Sequence, residues 1–196
     1  CLRLVGSEMC IRDRFFTIFY VPMVPIIIFL FKSRTIHWSV WPSVILCLIG
    51  GYLLTNFQDA IVRLGDSLVV LGALFWSTHI IFTGMIISRF NLPLTVGAIQ
   101  TFIVALFSFF IVLIYEEFIF KNILNEINSI LYAGILSGGI AFVLQIYAQR
   151  NILPAPAAII FSLEGVFATI AAWFILNQIL NINNLLGCFF ILSGVL

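Results

Sequence analysis

Two ionisable side chains stand deep inside otherwise apolar runs of this sequence: His79 in SLVVLGALFWSTHIIFTGMII and Glu164 in PAPAAIIFSLEGVFATIAAWFIL. An ionised group at such a depth costs on the order of 3 kcal/mol or more unless it is hydrated, paired or neutralised. Both positions are therefore candidates for lining a polar path. Gly72, Trp76, His79 and Thr83 follow the i, i+4, i+7, i+11 spacing of one helix face, a polar and aromatic stripe. Gly138, Phe142, Gln145 and Gln149 make a similar stripe further on, and Gln100 adds a third intramembrane amide. Hydroxyl and amide groups of this kind suit hydrogen bonding to a polar solute. The candidate solute-binding residues are Trp76, His79, Thr83, Gln100, Gln145 and Glu164. Each also has a structural reading: His79 as a hydrogen-bonded packing residue, Glu164 as a protonated interhelical bond, Trp76 as a wall, and Gln145 and Gln149 as interfacial groups.

Other chemistries lack their parts. His79 and Glu164 are the only two midplane ionisable groups and have no companion Asp, Cys or second His, so catalytic and metal-ligand clusters are absent from the pattern and no enzyme is expected. There is no GxxxxGK[ST] phosphate cradle, and no cofactor is implied. Cys47 and Cys188 lie in apolar runs and no CxxC pair occurs, which supports neither a disulfide framework nor a zinc site. If transport is coupled to an ion, protons are the natural one, because His79 and Glu164 are the groups that can change charge within the spans.

The elements that must position these residues are membrane helices. Of 196 residues 63% are hydrophobic and only 9% charged, too little polar surface for a soluble domain of that size. The net charge of +1 offers no basic field for nucleic acid. Long unbroken apolar runs exclude the alternation of a β-barrel and leave an all-α, polytopic helical membrane protein with the lipid bilayer as its solvent. Seven segments are expected, at about 15–31, 38–55, 67–87, 93–115, 127–149, 153–176 and 183–196. Lys32, Arg34, Arg89 and Arg150 fall on one side and Arg63 and Lys121 on the other, which makes the first side cytoplasmic. The connections at 56–66 and 116–126 are then external, with Asp59, Asp66, Glu116, Glu117 and Glu126.

Residues 1–14, CLRLVGSEMCIRDR, are charge-rich, and VGSEMCIRDR reads as a translated sequencing adapter, so this leader is expected to be foreign to the fold. With no initiator Met and a final apolar run from Leu185 to Leu196 too short for a crossing, the chain reads as a fragment lacking both ends. A shift of 143 residues lays Pro22 on Gly165 and Gly51 on Gly194 without a gap. An odd number of spans separates the copies, so the pattern predicts an inverted-topology repeat, the arrangement of secondary carriers with a midplane site. Gly134 and Gly138 have GxxxG spacing, which serves packing within the chain or a homodimer equally.

The stretches GDSLVVLGALFWSTHIIFTGMIISRFN at 65–91, GAIQ at 97–100, GILSGGIAFVLQIYAQR at 134–150, AAIIFSLEGVFATIAAWFIL at 157–176 and LLGCFFILSGVL at 185–196 together resemble the EamA-type transporters of the drug/metabolite transporter superfamily. That resemblance implies ten helices in two inverted five-helix repeats, with about seven helices present here. Residues 15–55 would end the first repeat and 67–196 form the second. It further implies a multi-pass carrier of the plasma, or bacterial inner, membrane that exports small metabolites such as amino acids or their derivatives by alternating access. Two departures stand out: the usual Glu-Pro is Glu164-Gly165, which removes the residue expected to kink that helix, and the usual Gly-Glu is Asn177-Gln178. The competing classes are a non-transporting membrane scaffold, for which no inverted repeat is expected, and a membrane-embedded enzyme.

Overall fold

The computed structural model describes residues 17–31, 36–55, 64–115, 124–177 and 180–196. The leader at 1–14, Lys32, Arg34, Asp59, Arg63, Glu116, Glu117, Lys121 and Gln178 lie outside the described residues. Every described element is helical, as a chain without water around its backbone requires, since a helix satisfies its own peptide groups. We label them α1 (Tyr20–Leu30), α2 (Val40–Thr55), α3 (Leu64–Phe90), α4 (Pro93–Tyr115), α5 (Ile127–Leu131), a π-helical stretch Tyr132–Ala141, α6 (Phe142–Ala148), α7 (Pro154–Phe161), α8 (Leu163–Leu176) and α9 (Ile182–Val195). Ser67–Phe90, Pro93–Tyr115, Ile127–Ala148 and Pro154–Ile175 are each long and apolar enough to cross a membrane. The protein is a polytopic helical membrane protein.

All seven expected segments contain helix, with differences at their edges. The helix of the first segment covers 11 residues, about 16 Å of axis and shorter than the span read from composition. At the other extreme α3 has 27 residues, adding Leu64 to Asp66 at its start and Ser88 to Phe90 at its end. Local chemistry explains the boundaries. Asn91 has φ of 56° and its N–H closes the helix on the Ile87 carbonyl at 2.9 Å. Asn is among the few side chains that tolerate this left-handed conformation. Leu92 follows, and Pro93 opens α4 at the position where its missing N–H costs nothing. Asn177, with φ of 49°, ends α8 in the same way.

Two compact units divide the described chain. The first joins the residues up to Phe82 to Leu153–Leu196, and the second is Thr83–Ile152, so the division falls within α3. In the first unit Val21, Val24 and Ile28 of α1, Val44 and Cys47 of α2, Ala73 and Ile80 of α3, Ala158 and Ile159 of α7 and Ile191 of α9 form one buried cluster. Its tightest seam is α2 against α9. A Cβ on Gly50 would lie 2.7 Å from the Gly187 carbonyl oxygen, and one on Gly187 would lie 2.7 Å from that of Gly50. Gly194 faces the Ser43 carbonyl and the Cys47 sulfur at 2.9 and 3.1 Å in the same sense. Residue numbers rise along α2 as they fall along α9, so the helices run antiparallel. Where lipid is as apolar as leucine, such backbone-to-backbone packing carries the association.

In the second unit α4 and α6 pack through Gly97, whose Cβ would meet Ile146 Cδ1 at 3.3 Å and Val143 Cγ2 at 3.4 Å. The π-helical stretch has a visible origin. Gly138 and Gly139 sit 3.4 Å from the carbonyl oxygens of Ala133 and Gly134, five residues back, when measured from where a Cβ would stand. Glycine thus leaves room for the wider turn. Gly134 meets nothing within 4 Å, so the GxxxG spacing has no close helix partner among the described residues.

Candidate functional site

On α3 the predicted stripe is not uniform. Trp76 and His79 are half-buried and stack with ring centroids 5.1 Å apart and planes 18° from parallel. The rings are three residues apart on one helical face, so local geometry alone brings them together. Gly72, which shares their spacing, is open: a Cβ there would meet nothing within 4 Å. Ser77, on the opposite side, is buried and donates to the Ala73 carbonyl at 2.7 Å, with the Tyr20 carbonyl at 3.4 Å. This hydroxyl belongs to packing between α3 and α1, and Trp76 packs against the same buried cluster.

Within the second unit the amides acquire a geometry. Gln100 Nε2 donates to Thr83 Oγ1 at 3.1 Å, joining α4 to the end of α3. Thr83 is buried, at 1% exposure, and Gln100 is half-buried. Gln145 is half-buried on α6, whereas Gln149, at the start of the 3-10 turn Gln149–Asn151, is 2% exposed. The spacing of the second stripe assumes an uninterrupted α-helix, and the π-helical stretch breaks that assumption between Gly138 and Phe142. Gln149 instead follows Ile146, itself 1% exposed, on the buried face. Spacing alone makes it as much an interfacial residue as a binding one. The three-residue step from Ile146 reveals its burial, but only once the helix register is known.

Glu164 stands where a continuous apolar run hides a break: α7 ends at Phe161 and α8 restarts at Leu163. Ser162 produces it. Its Oγ donates to the Ile159 carbonyl at 2.5 Å, its own N–H bonds to the same oxygen at 3.1 Å, and Gly165 N–H returns to the Ser162 carbonyl at 3.1 Å. A side chain that competes for the backbone carbonyl tightens and bends the helix without proline. The interruption that the missing proline puts in question is therefore present, two residues before Glu164. Ser162 Oγ also lies 3.4 Å from Cys47 Sγ on α2, which seats the break against the buried cluster. Glu164 occupies the first turn of α8, where the helix dipole favours a carboxylate, and it is exposed on the surface of its unit.

Arg89 ends α3 with its guanidinium 5.7 Å from the Phe90 ring, and Arg150 lies exposed in the 3-10 turn. Among the described residues no group of three His, Cys, Asp or Glu could hold a metal ion. The candidate side chains thus divide between the units: Trp76, His79 and Glu164 belong to the first, and Thr83, Gln100, Gln145 and Gln149 to the second.

Residues 63–196 match the model of the EamA-like transporter family. The chain belongs to that family. The matched range begins just before α3 and takes in Trp76, His79, Thr83, Gln100, Gln145, Gln149 and Glu164. The chain is also 29% identical over 188 residues to a protein of Archaeoglobus fulgidus described as an uncharacterized transporter. That alignment covers 93% of this chain and 58% of the relative, so the chain spans less than two thirds of its length. No solved structure gives a significant match.

Proposed function

We propose that the full-length protein is a secondary carrier that moves a small polar solute across the membrane by alternating access, with the solute path formed by Trp76, His79, Thr83, Gln100, Gln145 and Glu164. The observation that carries this reading is the Gln100–Thr83 hydrogen bond, a polar contact between two membrane-spanning helices of an EamA-like protein, at a depth where polar groups are costly. The reading extends to export of metabolites such as amino acids or their derivatives from a plasma membrane. Residues 15–55 and 67–196 are then parts of two inverted repeats, and the antiparallel α2–α9 seam is what repeat-related helices would form. Glu164 and His79 are the groups through which protons can couple to the cycle, and the open Gly134 and Gly138 face is available to a second copy.

Export is tested by measuring intracellular accumulation of a panel of amino acids in cells with and without the full-length gene. Lower accumulation of at least one solute with the gene present is expected; unchanged accumulation of every solute rejects export. In that background Glu164→Gln, which keeps size and hydrogen bonding but cannot titrate, should insert normally and lose the pH dependence of transport. Cysteines placed at Arg89 and Arg150 should resist an impermeant thiol reagent applied outside intact cells, while one placed near Asp59 should label.

A further inference from the structure

Buried amides of the second unit are left incompletely satisfied. Gln149 is 2% exposed, and neither its Oε1 nor its Nε2 finds a hydrogen-bond partner among the described residues. Gln100 commits its Nε2 to Thr83, but its buried Oε1 is likewise unmatched. A native structure rarely leaves a buried side-chain amide with neither end bonded, and each such group points to a ligand or other function. Gln100 lies on α4, and Gln149 opens the 3-10 turn that follows α6. Gln100 is one turn beyond Gly97, and Gln149 one turn beyond Ile146, the residue that Gly97 packs against. On antiparallel helices this sets the two amides about 9 Å apart along the axis, on either side of the Gly97–Ile146 contact.

The chemistry of this seam selects its ligand. Among the described residues of the unit, Arg89, Glu126 and Arg150 are all exposed, and the buried polar side chains, Thr83 and Gln149, are uncharged. A charged solute group would enter with nothing to balance it. A primary amide presents a donor and an acceptor side by side, and the complement is another amide. We infer that Gln149 forms a subsite for an uncharged carboxamide group of the transported solute, with the Gln100 amide a further polar group along the same seam. This rests on the carrier reading above, and it names the chemical class that reading leaves open. It also adds Gln149 to the solute-contacting residues.

The test uses the purified full-length protein and two probes, nicotinamide and nicotinate, which share a ring and differ in one group. Nicotinamide should raise the thermal unfolding midpoint and nicotinate should not. Gln149→Leu should weaken nicotinamide binding at least tenfold and, by removing two unmatched polar atoms, raise the midpoint of the probe-free protein. A structural glutamine gives the opposite sign, so a lowered probe-free midpoint overturns the inference. Equal stabilisation by both probes, by neither, or of parent and variant alike also overturns it. Gln149→Met, of matched length, replaces the Leu variant if that protein does not accumulate. Cellular export separates the two readings: if the parent exports a solute and the variant exports it equally well, the subsite falls and the carrier stands. Nicotinamide binding that depends on Gln149 without transport of any solute would leave the subsite and reject the carrier.

Discussion

Two sets of glycines, one in each unit, face opposite circumstances. In the first, Gly50, Gly187 and Gly194 let α2 and α9 approach until backbone meets backbone, with no room for a methyl group. In the second, Gly134 stands open and Gly138 and Gly139 meet only carbonyls of their own π-helical turn. The same residue type therefore closes a helix seam in one place and stands clear of neighbouring helices in the other. Two pairs of polar side chains also differ: Ser77 and Ser162 of the first unit are satisfied by nearby carbonyls, and Gln100 and Gln149 of the second keep unmatched buried atoms.

The strongest way to break this contrast is to add a methyl group on each side of it. Gly187→Ala would drive a Cβ to 2.7 Å from the Gly50 carbonyl and 2.9 Å from Leu54 Cγ. Overpacking against backbone should cost about 3 kcal/mol, read as a large fall in the thermal unfolding midpoint of the full-length protein. Gly138→Ala should change stability by less than about 1 kcal/mol, because the nearest atom is a carbonyl oxygen at 3.4 Å and the helix gains a better former. Equal losses in both variants would erase the distinction between the units.

A second, smaller effect sits at the tight turn that joins α3 to α4. Asn91→Val places a β-branched residue at φ of 56° and should cost about 1–2 kcal/mol. Asn91→Gly should be neutral or better by the same measurement. If Val and Gly behave alike at this position, the left-handed cap does not hold the turn.

The smallest effect belongs to the polar contact of the second unit. A double-mutant cycle on Thr83→Val and Gln100→Leu should return a coupling of about 0.6 kcal/mol, the usual scale for hydrogen bonds between membrane helices. A coupling near zero would separate the two side chains and remove the bond from the site.

What is legible in the sequence follows from which signals are local. The apolar runs, the Asn-Leu-Pro step at 91–93 and the mid-span positions of His79 and Glu164 can be read directly, because length, capping and charge cost act on neighbouring residues. Spacing singles out Gly51 and Gly194, but Gly50 and Gly187 make the closest contact, since which face of α2 meets α9 is a tertiary choice. At the break before Glu164 the absence of proline at Gly165 draws attention, while it is the hydroxyl of Ser162 that bonds the Ile159 carbonyl at the interruption. A constant helical period puts Gln145 and Gln149 on one stripe with Gly138, and it fails because the helix is widened over Tyr132–Ala141, before it reaches them.

Whether the polar side chains of α3 and α4 serve transport rather than packing is read most directly from solute export by cells carrying the full-length gene with His79→Ala, Gln100→Leu or, for comparison, Gly138→Ala. The first two variants should reach the membrane in parental amounts and lose at least tenfold in export rate, with Gly138→Ala near parental. Export at the parental rate by both His79→Ala and Gln100→Leu would contradict a transport role and return those residues to packing.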